Sequence, residues 1–206
     1  MHVPDAYSVT DTDRLHAFMK THSFALLVSN DVRPEAAPIA THLPILVETH
    51  DSKSVRLIGH VAKDNPQWKA AHGRQVLAVF SGPHAYVSAA WYGETNVVPT
   101  WNYLSVHVTG TLSVESDSHR VTEILKQSVE FYERSHQPPW SMESADSEYL
   151  QRLMAGIVAF SISIDAIQGC WKLNQHHPQS KRDGVIAGLH SRGHADDLAI
   201  ANLMRE

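Results

Sequence analysis

The sequence is poor in cysteine and contains only Cys170, which excludes an internal disulfide and is typical of a reducing compartment. It also lacks a run of about 18–20 consecutive apolar residues, the length that a membrane-spanning helix needs. The N-terminal residues M-H-V-P-D-A-Y contain neither the basic nor the apolar region of a secretory signal. We therefore expect a cytoplasmic protein without a membrane segment.

An excess of positive charge is absent as well. The chain has 17 Lys and Arg residues against 22 Asp and Glu residues, which gives a formal net charge of −5. A basic face that would bind nucleic acid or anionic lipid through charge alone is therefore not expected. No helix-turn-helix pattern is recognisable either.

What the sequence does contain is typical of a globular protein. Apolar residues make up 43% and charged residues 19% of its 206 residues, enough for one domain with a sizeable core. The interpretation is a single domain over residues 1–206, with a C-terminal excursion from about residue 175.

Histidine is unusually frequent, with 15 residues scattered along the chain. None of them forms H-E-x-x-H or another familiar ligand spacing, so no metal site is predicted. His176 and His177 are adjacent, an arrangement that usually points two side chains apart. A metal or haem site assembled from distant histidines remains an alternative.

Short extended segments alternate with a few helices. Apolar runs and period-two alternation predict strands over residues 23–29, 35–47, 54–60, 75–81, 85–89, 103–113, 156–164 and 165–173. Helical spacing predicts helices over residues 13–20, 118–133, 146–154 and 196–205. Residues 63–68 form a turn that leads into a further short helix ending at His72. This pattern favours a closed antiparallel barrel with helices at its ends.

Two stretches interrupt the pattern. Pro38 and Pro44 cannot donate to a ladder, which predicts a strand that is broken or at an edge where it passes Thr41 and His42. Residues 174–183 are polar and rich in turn formers, and no helix is predicted there.

Residues 98–110, V-P-T-W-N-Y-L-S-V-H-V-T-G, begin as a turn and continue as a strand. The indole of Trp101 and the amide of Asn102 at the mouth of that strand suit a planar, heteroatom-rich ligand. The alternative is a loop aromatic that packs on the rim of the barrel.

Four passages together resemble one protein family. They are H-S-F-A-L-L-V-S (22–29), G-H-V-A-K-D-N-P-Q-W (59–68), G-P-H-A-Y-V-S-A-A-W-Y with V-P-T-W-N-Y (82–103), and C-W-K-L-N-Q with G-V-I-A-G-L (170–189). The chain resembles the PaiB-type FMN-binding negative transcriptional regulators, which are related to the pyridoxamine phosphate oxidase-like flavoproteins. The resemblance implies a β-rich α+β fold, a six-stranded antiparallel split β-barrel of Greek-key type with flanking helices. It also implies a homodimer with FMN in clefts at the dimer interface.

A phosphate in such a cleft needs cations and hydrogen-bond donors. His60, Lys63 and Asn65 follow a strand and precede a helix, which makes them the candidates for that role, with Arg56 as a weaker one. The edge of the isoalloxazine ring needs backbone donors and acceptors, and we assign this to Thr41, His42 and Leu43.

The other candidate residues lie later in the chain. Trp101 and Asn102 are expected to reach the flavin from the partner subunit. A second cluster consists of Trp171, Lys172, Asn174 and Gln175, an indole, a cation and two amides. The resemblance implies a role at the flavin for it, because related oxidases place a late tryptophan and a basic residue there.

Each assignment has a structural alternative. Lys63 is then a solvated lysine at a helix start, His42 a hydrogen-bonded residue of the barrel rim, and Trp171 part of the core of the dimer interface. Cys170 has no evident base beside it and is interpreted as structural.

Three functions remain open. The resemblance implies an FMN-binding regulator, whereas the flavin alone is equally consistent with an FMN-dependent oxidoreductase acting on a small molecule. His42 or His107 would then serve as a proton donor. The third is a haem- or metal-binding barrel that uses some of the histidines.

Overall fold

The computed structural model describes residues 1–33, 35–50 and 54–205. Its strands are β1 (Ser8–Val9), β2 (Phe24–Ser29), β3 (Ile39–His50), β4 (Ser54–Ala62), β5 (Arg74–Val87), β6 (Thr100–Val114) and β7 (Ile157–Lys172). Its α-helices are α1 (Thr12–Thr21), α2 (Gln67–Ala71), α3 (Ser118–Glu133), α4 (Ser147–Met154), α5 (Gln179–Arg192) and α6 (Ala195–Leu203). Short 3₁₀ turns occupy Asp5–Tyr7, Ala89–Tyr92 and Met142–Ser144.

The strands form one sheet in the order β1-β7-β4-β3-β2-β5-β6. Because β7 also pairs with β6, hydrogen bonding closes six strands into a ring and leaves β1 as an additional strand on β7. The predicted six-stranded antiparallel split barrel with flanking helices is therefore confirmed.

Spatial contacts group the chain into two compact units. The terminal unit consists of Met1–Phe18, Phe80–His107 and Gln168–Glu206, and the central unit of Met19–Val79 and Val108–Ile167. The strands β5, β6 and β7 contribute residues to both units. The single domain over residues 1–206 stays a prediction.

The predicted helices are found close to their expected bounds. Asp11 caps α1, because its Oδ1 accepts a hydrogen bond of 3.0 Å from the backbone N of Arg14. Asp117 and Asp146 cap α3 and α4 in the same way, through the backbone N of His119 and of Tyr149. These side chains satisfy N–H groups that a helix leaves unpaired at its start.

Two of the predicted strand boundaries are wrong. Residues 75–81 and 85–89 form the single strand β5, and residues 156–164 and 165–173 are joined in β7. Pro83 lies beyond Val76–Val79, the part of β5 that pairs with β2, so it removes no hydrogen bond from that ladder. Gly82 also fits there, since a Cβ atom at this position would lie 2.8 Å from the ring of Phe18.

The strand around Pro38 and Pro44 was predicted to be broken or at an edge where it passes Thr41 and His42. β3 begins at Ile39, after Pro38, and is continuous through Pro44, so there is no break. At Thr41 and His42 it pairs with β2, and its pairing with β4 begins only at Ile45, which agrees with the edge alternative. Residues 39–44 of β3 pair with β2, and residues 45–50 pair with β4. Pro44 sits at the residue where the partner changes, and its missing N–H therefore interrupts neither ladder. The backbone N of Ile45 donates to the carbonyl of Ser23 at 2.8 Å directly afterwards.

A helix was missed in the C-terminal part, where α5 begins at Gln179 and continues to Arg192. A Cβ atom at Gly184 would lie 2.2 Å from the carbonyl oxygen of Trp91, and one at Gly188 would lie 2.3 Å from its indole. These glycines allow α5 to approach Trp91 closely, although in the sequence they favour a loop.

The central unit has a core under α3. Leu46, Ile58, Ile124 and Ala159 are buried together, and α3 supplies Ile124 to this cluster. Burial of such side chains is the main favourable contribution to folding.

Candidate functional site

In the central unit, the turn after β4 brings two predicted site residues together. Nδ2 of Asn65 donates to Oγ1 of Thr41 at 3.0 Å, and Oδ1 of Asn65 accepts from the backbone N of Gln67 at 2.9 Å. The amide of Asn65, a predicted phosphate contact, is thus hydrogen-bonded to Thr41, a predicted contact of the edge of the flavin ring.

Lys63 lies in the same turn with an exposed side chain. Its Nζ donates to the carbonyl of Ala155 at 3.3 Å, and its own carbonyl accepts from the indole N–H of Trp68 at 2.9 Å. The backbone is therefore fixed, while the ammonium group keeps donor capacity for an anion.

His60 has a different environment. It lines a cavity of about 340 Å³ together with Pro44, Tyr132 and Trp140, and burial lowers the pKa of its imidazole. An imidazole held in its neutral form contributes no charge to a phosphate. Arg56 is likewise engaged, since its Nε donates to Glu48 at 2.5 Å.

His42 and Leu43 point to opposite sides of β3. His42 is exposed and stacks on Phe24 with ring centroids 6.0 Å apart, whereas the side chain of Leu43 is buried. Leu43 therefore has only its backbone to offer a ligand.

Gln67 is a buried residue that the sequence analysis passed over. Its Nε2 lies 3.0 Å from the carbonyl of Leu27 and 3.1 Å from that of Ile39, and donates to both. Its Oε1 has no hydrogen-bond partner among the described residues. Its place in the passage K-D-N-P-Q-W was the available signal.

In the terminal unit, Trp101 and Asn102 are separated by the alternation of β6. The side chain of Trp101 is 53% exposed and contacts Tyr86 edge to face, with centroids 5.8 Å apart. Asn102 is fully buried, and its Nδ2 donates to Sδ of Met204 at 3.4 Å. Trp101 is thus accessible to a ligand or a partner, and Asn102 is not.

Trp171, Lys172 and Gln175 do not form one cluster of side chains. Trp171 is buried against Phe18, with centroids 4.9 Å apart. Gln175 closes a local turn by accepting from the backbone N of Leu173 and donating to the carbonyl of Trp171. Nζ of Lys172 points elsewhere and donates to Oγ1 of Thr100 at 2.7 Å.

The side chain of Lys172 lines a cavity of about 460 Å³ in the terminal unit. The cavity is lined by residues 96–100 and by Tyr7, Tyr92, Lys172, His176, His177 and Lys181. Tyr7 OH and Nδ1 of His176 are hydrogen-bonded at 3.0 Å. We call this space the cationic cavity.

The sequence analysis missed most residues of the cationic cavity. His176 and His177 were expected to point apart, but their ring centroids lie 4.0 Å from each other and both line the cavity. Asn174 precedes them at φ 59°, a left-handed conformation that turns the chain. This turn could not be inferred from histidine spacing alone.

Two further kinds of feature are absent from the described part of the chain. No group of three or more His, Cys, Asp or Glu residues in the described part of the chain is arranged to hold a metal ion. Within that same part, no helix is long and apolar enough to cross a membrane.

Comparison with known proteins identifies the family. A family model described as "Putative FMN-binding domain" matches residues 1–166. The chain belongs to this family. It is also 33% identical over 207 residues to "Protease synthase and sporulation protein PAI 2" of Bacillus subtilis, a match covering 100% of this chain and 97% of that protein. The resemblance to PaiB-type proteins and the assignment of FMN as cofactor are confirmed.

Solved structures agree on the fold. The flavocytochrome Anf3 from Azotobacter vinelandii superimposes with a TM-score of 0.61 at 16% identity, covering 82% of this chain and 72% of that chain. The FAD and heme binding protein from Mycobacterium smegmatis gives the same TM-score and identity, covering 88% and 80%.

The residues present fit FMN in their chemistry. Lys63 supplies a cation and Asn65 an amide N–H donor for a phosphate group. The exposed indole of Trp101 supplies an aromatic surface of the kind on which a flavin ring stacks.

Proposed function

We propose that the protein is a homodimeric FMN-binding regulator of the PaiB type that represses transcription. The observation that carries this proposal is the full-length match to PAI 2, together with the FMN-binding family model. In the proposed site, Lys63 and Asn65 hold the phosphate, the backbone of residues 41–43 holds the ring edge, and Trp101 is contributed by the partner subunit.

The uncovered side of β2 supports a dimer. Leu26 and Val28 are only half-buried, and Phe24 on the same side is 66% exposed. Their neighbours Val79 and Leu77 on β5 are half-buried as well. An apolar patch of this kind is typical of a surface that a second protein chain covers.

The basic residues of the C-terminal part argue against direct DNA binding. Lys181 pairs with Glu94 at 2.8 Å, Arg192 pairs with Asp197, and Arg182 donates to the carbonyl of Met204. Since these three cations are too few to form a basic patch for DNA and each already has a partner in the chain, regulation would proceed through a protein partner or a small ligand.

The second candidate is an FMN-dependent oxidoreductase acting on a small molecule. The hydrogen-bonded pair of Tyr7 and His176 at the wall of the cationic cavity favours it, because a phenol and an imidazole in contact can exchange a proton with a bound substrate. FMN would supply the electron transfer, and the chain would orient the substrate and move the proton.

The first test is a visible absorption spectrum before and after addition of FMN, recorded on fractions from gel filtration. Flavin bands that co-elute with a mass of twice the monomer support the FMN-binding dimer. A protein that acquires no flavin from excess FMN, or that binds it as a monomer, contradicts this part of the proposal.

A second experiment distinguishes the regulator from the oxidoreductase. Transcripts are compared between a strain lacking the gene and strains complemented with the wild type or with Asn65→Asp. Derepressed transcripts that only the wild type restores support the regulator. Unchanged transcripts, with flavin-dependent oxidation of NADH or NADPH by the pure protein, support the oxidoreductase.

A further inference from the structure

The cationic cavity concentrates basic side chains. Lys172 and Lys181 contribute two ammonium groups, and His176 and His177 contribute two imidazoles. Lys172 donates to a neutral hydroxyl, that of Thr100, and His176 bonds to a neutral phenol. Glu94, which is 53% exposed, pairs with Lys181 and offsets one of the positive charges.

Neighbouring charges act on His177 in opposite directions. Burial, the largest cause, lowers the pKa of the His177 imidazole; His176 and Lys181 lower it further, and Glu94 raises it. Burial disfavours any charged group, so only the contributions of His176 and Lys181 indicate surroundings that favour an anion.

The start of α5 adds to this field. α5 is a helix of 14 residues. His177 lies just before its first turn, and Lys181 belongs to that turn. Pro178 at its N-cap provides no side-chain hydrogen bond, so the first N–H groups of the helix are not capped by it. A helix N-terminus carries partial positive charge and attracts anions.

Apart from Asn96 and Thr100, the remaining wall is apolar or aromatic. Val97, Val98 and Pro99 form one part of it, and the rings of Tyr92 and His177 lie 5.1 Å apart. Tyr92 is held in place because its hydroxyl accepts a hydrogen bond of 3.0 Å from Nδ2 of Asn174, a residue that is fully buried. The volume of about 460 Å³ is that of a site for a small molecule.

We propose that the cationic cavity binds a small organic anion, a carboxylate or phosphate monoester with an apolar or aromatic body. Lys172 and Lys181 hold the anionic group, with His177 beside them, and residues 97–99 contact the body. This site goes beyond the proposed function, because it does not require regulation and takes a ligand other than FMN.

The test uses the full chain saturated with FMN. Dissociation constants for benzoate, phenyl phosphate and the neutral benzyl alcohol are measured by ligand-observed NMR titration. The wild type is compared with Lys181→Gln, with Glu94→Gln, and with the surface control Lys126→Gln. Circular dichroism melting checks that each variant is folded.

The expected result is that both anions bind and benzyl alcohol does not. Lys181→Gln raises the dissociation constants of the anions about tenfold, a factor that one charge-assisted hydrogen bond provides. Glu94→Gln lowers them, because it frees Lys181 from its ion pair, and Lys126→Gln leaves them unchanged. The relative affinity of the two probes decides between carboxylate and phosphate.

Two results overturn the inference. One is that neither anion binds to the wild type or to Glu94→Gln. The other is that the anions bind only when FMN is absent and Lys181→Gln weakens FMN but not riboflavin, which assigns the cavity to the phosphate of the cofactor. The second result would leave FMN binding intact, so failure of the inference is distinguishable from failure of the proposed function.

Discussion

Glu48 on β3 and Arg120 on α3 form a buried ion pair, with Nη2 of Arg120 2.6 Å from Oε2 of Glu48. Nε of Arg56 reaches the same oxygen at 2.5 Å, and Nε2 of Gln127 donates to Oε1 at 2.9 Å. Burial raises the pKa of Glu48, but the hydrogen bonds from Arg120, Arg56 and Gln127 outweigh it and lower the pKa to about 2. This carboxylate ties α3 to the sheet.

We expect Glu48→Gln to lower the free energy of unfolding by about 2 kcal/mol near neutral pH, because it leaves the largely buried Arg120 with only the half-exposed Glu123 as a counter-charge. A carboxyl with a lowered pKa stabilises the fold above its unfolded pKa. The contribution is therefore lost between about pH 5 and pH 2, and the difference between wild type and variant should shrink over that range. Urea unfolding at several pH values measures it.

The control for this prediction is Glu143→Gln. The pKa of Glu143 is also about 2, owing first to its hydrogen bond from Lys126, but both side chains are more than half exposed. A surface pair contributes little to stability, so this variant should unfold like the wild type. An equal effect of the two substitutions would contradict the role given to burial.

Close packing of α5 on Trp91 makes Gly188 sensitive. Gly188→Ala should destabilise the protein by about 1–3 kcal/mol, the usual cost of overpacking, even though alanine is the better helix former. Chemical unfolding of the single variant and of Gly188→Ala/Trp91→Ala tests this. In the Trp91→Ala background the space is open and the alanine should no longer destabilise; an unchanged penalty there would show that the indole is not its cause.

Local signals explain which elements were predictable. The bounds of α3 follow from Asp117 at its start and from the apolar stripe that includes Val121 and Ile124. By contrast, proline disfavours a strand in sequence, and only the pairing of β5 with β2, which covers Val76–Val79, shows that this ladder does not need the N–H of residue 83. The fold class could therefore be predicted from the sequence, whereas the continuity of the strands could not.

Non-local packing explains the missed parts of the site. The polar residues 174–183 hid the start of α5, and the place of Gly188 in that helix is explained only by Trp91, which is remote in sequence and lies against it. Trp171 and Lys172 are adjacent and were grouped, but alternation along β7 buries the indole and directs the ammonium group to the cationic cavity. The residue type at one position does not reveal which side of a strand is buried by the rest of the chain.

Asn65 provides a test of the phosphate assignment. Asn65→Asp keeps the oxygen that accepts from the backbone N of Gln67, but it adds a negative charge and removes the donor to Thr41. We expect the affinity for FMN to fall at least about tenfold, with a much smaller loss for riboflavin, because only FMN carries the phosphate. Quenching of flavin fluorescence measures both affinities.

The matched variant for this experiment is Thr41→Val, which removes the hydroxyl without adding charge. It should weaken both flavins equally and only slightly. If Asn65→Asp lowers the affinities for FMN and riboflavin by the same factor, the phosphate is not bound at Asn65.

Substitution of Trp171 should affect mainly the stability of the fold, and substitution of Trp101 should affect mainly FMN binding. Trp171 is buried against Phe18, so Trp171→Ala should cost about 3–5 kcal/mol of unfolding free energy. Trp101 is half exposed, and Trp101→Ala should change the stability of the monomer by less than about 0.5 kcal/mol. If Trp101 reaches the flavin from a partner subunit, its removal weakens both FMN binding and dimerisation, measured by titration and by sedimentation. A Trp101→Ala protein that binds FMN with wild-type affinity would exclude the indole from the flavin site, whatever its effect on the dimer.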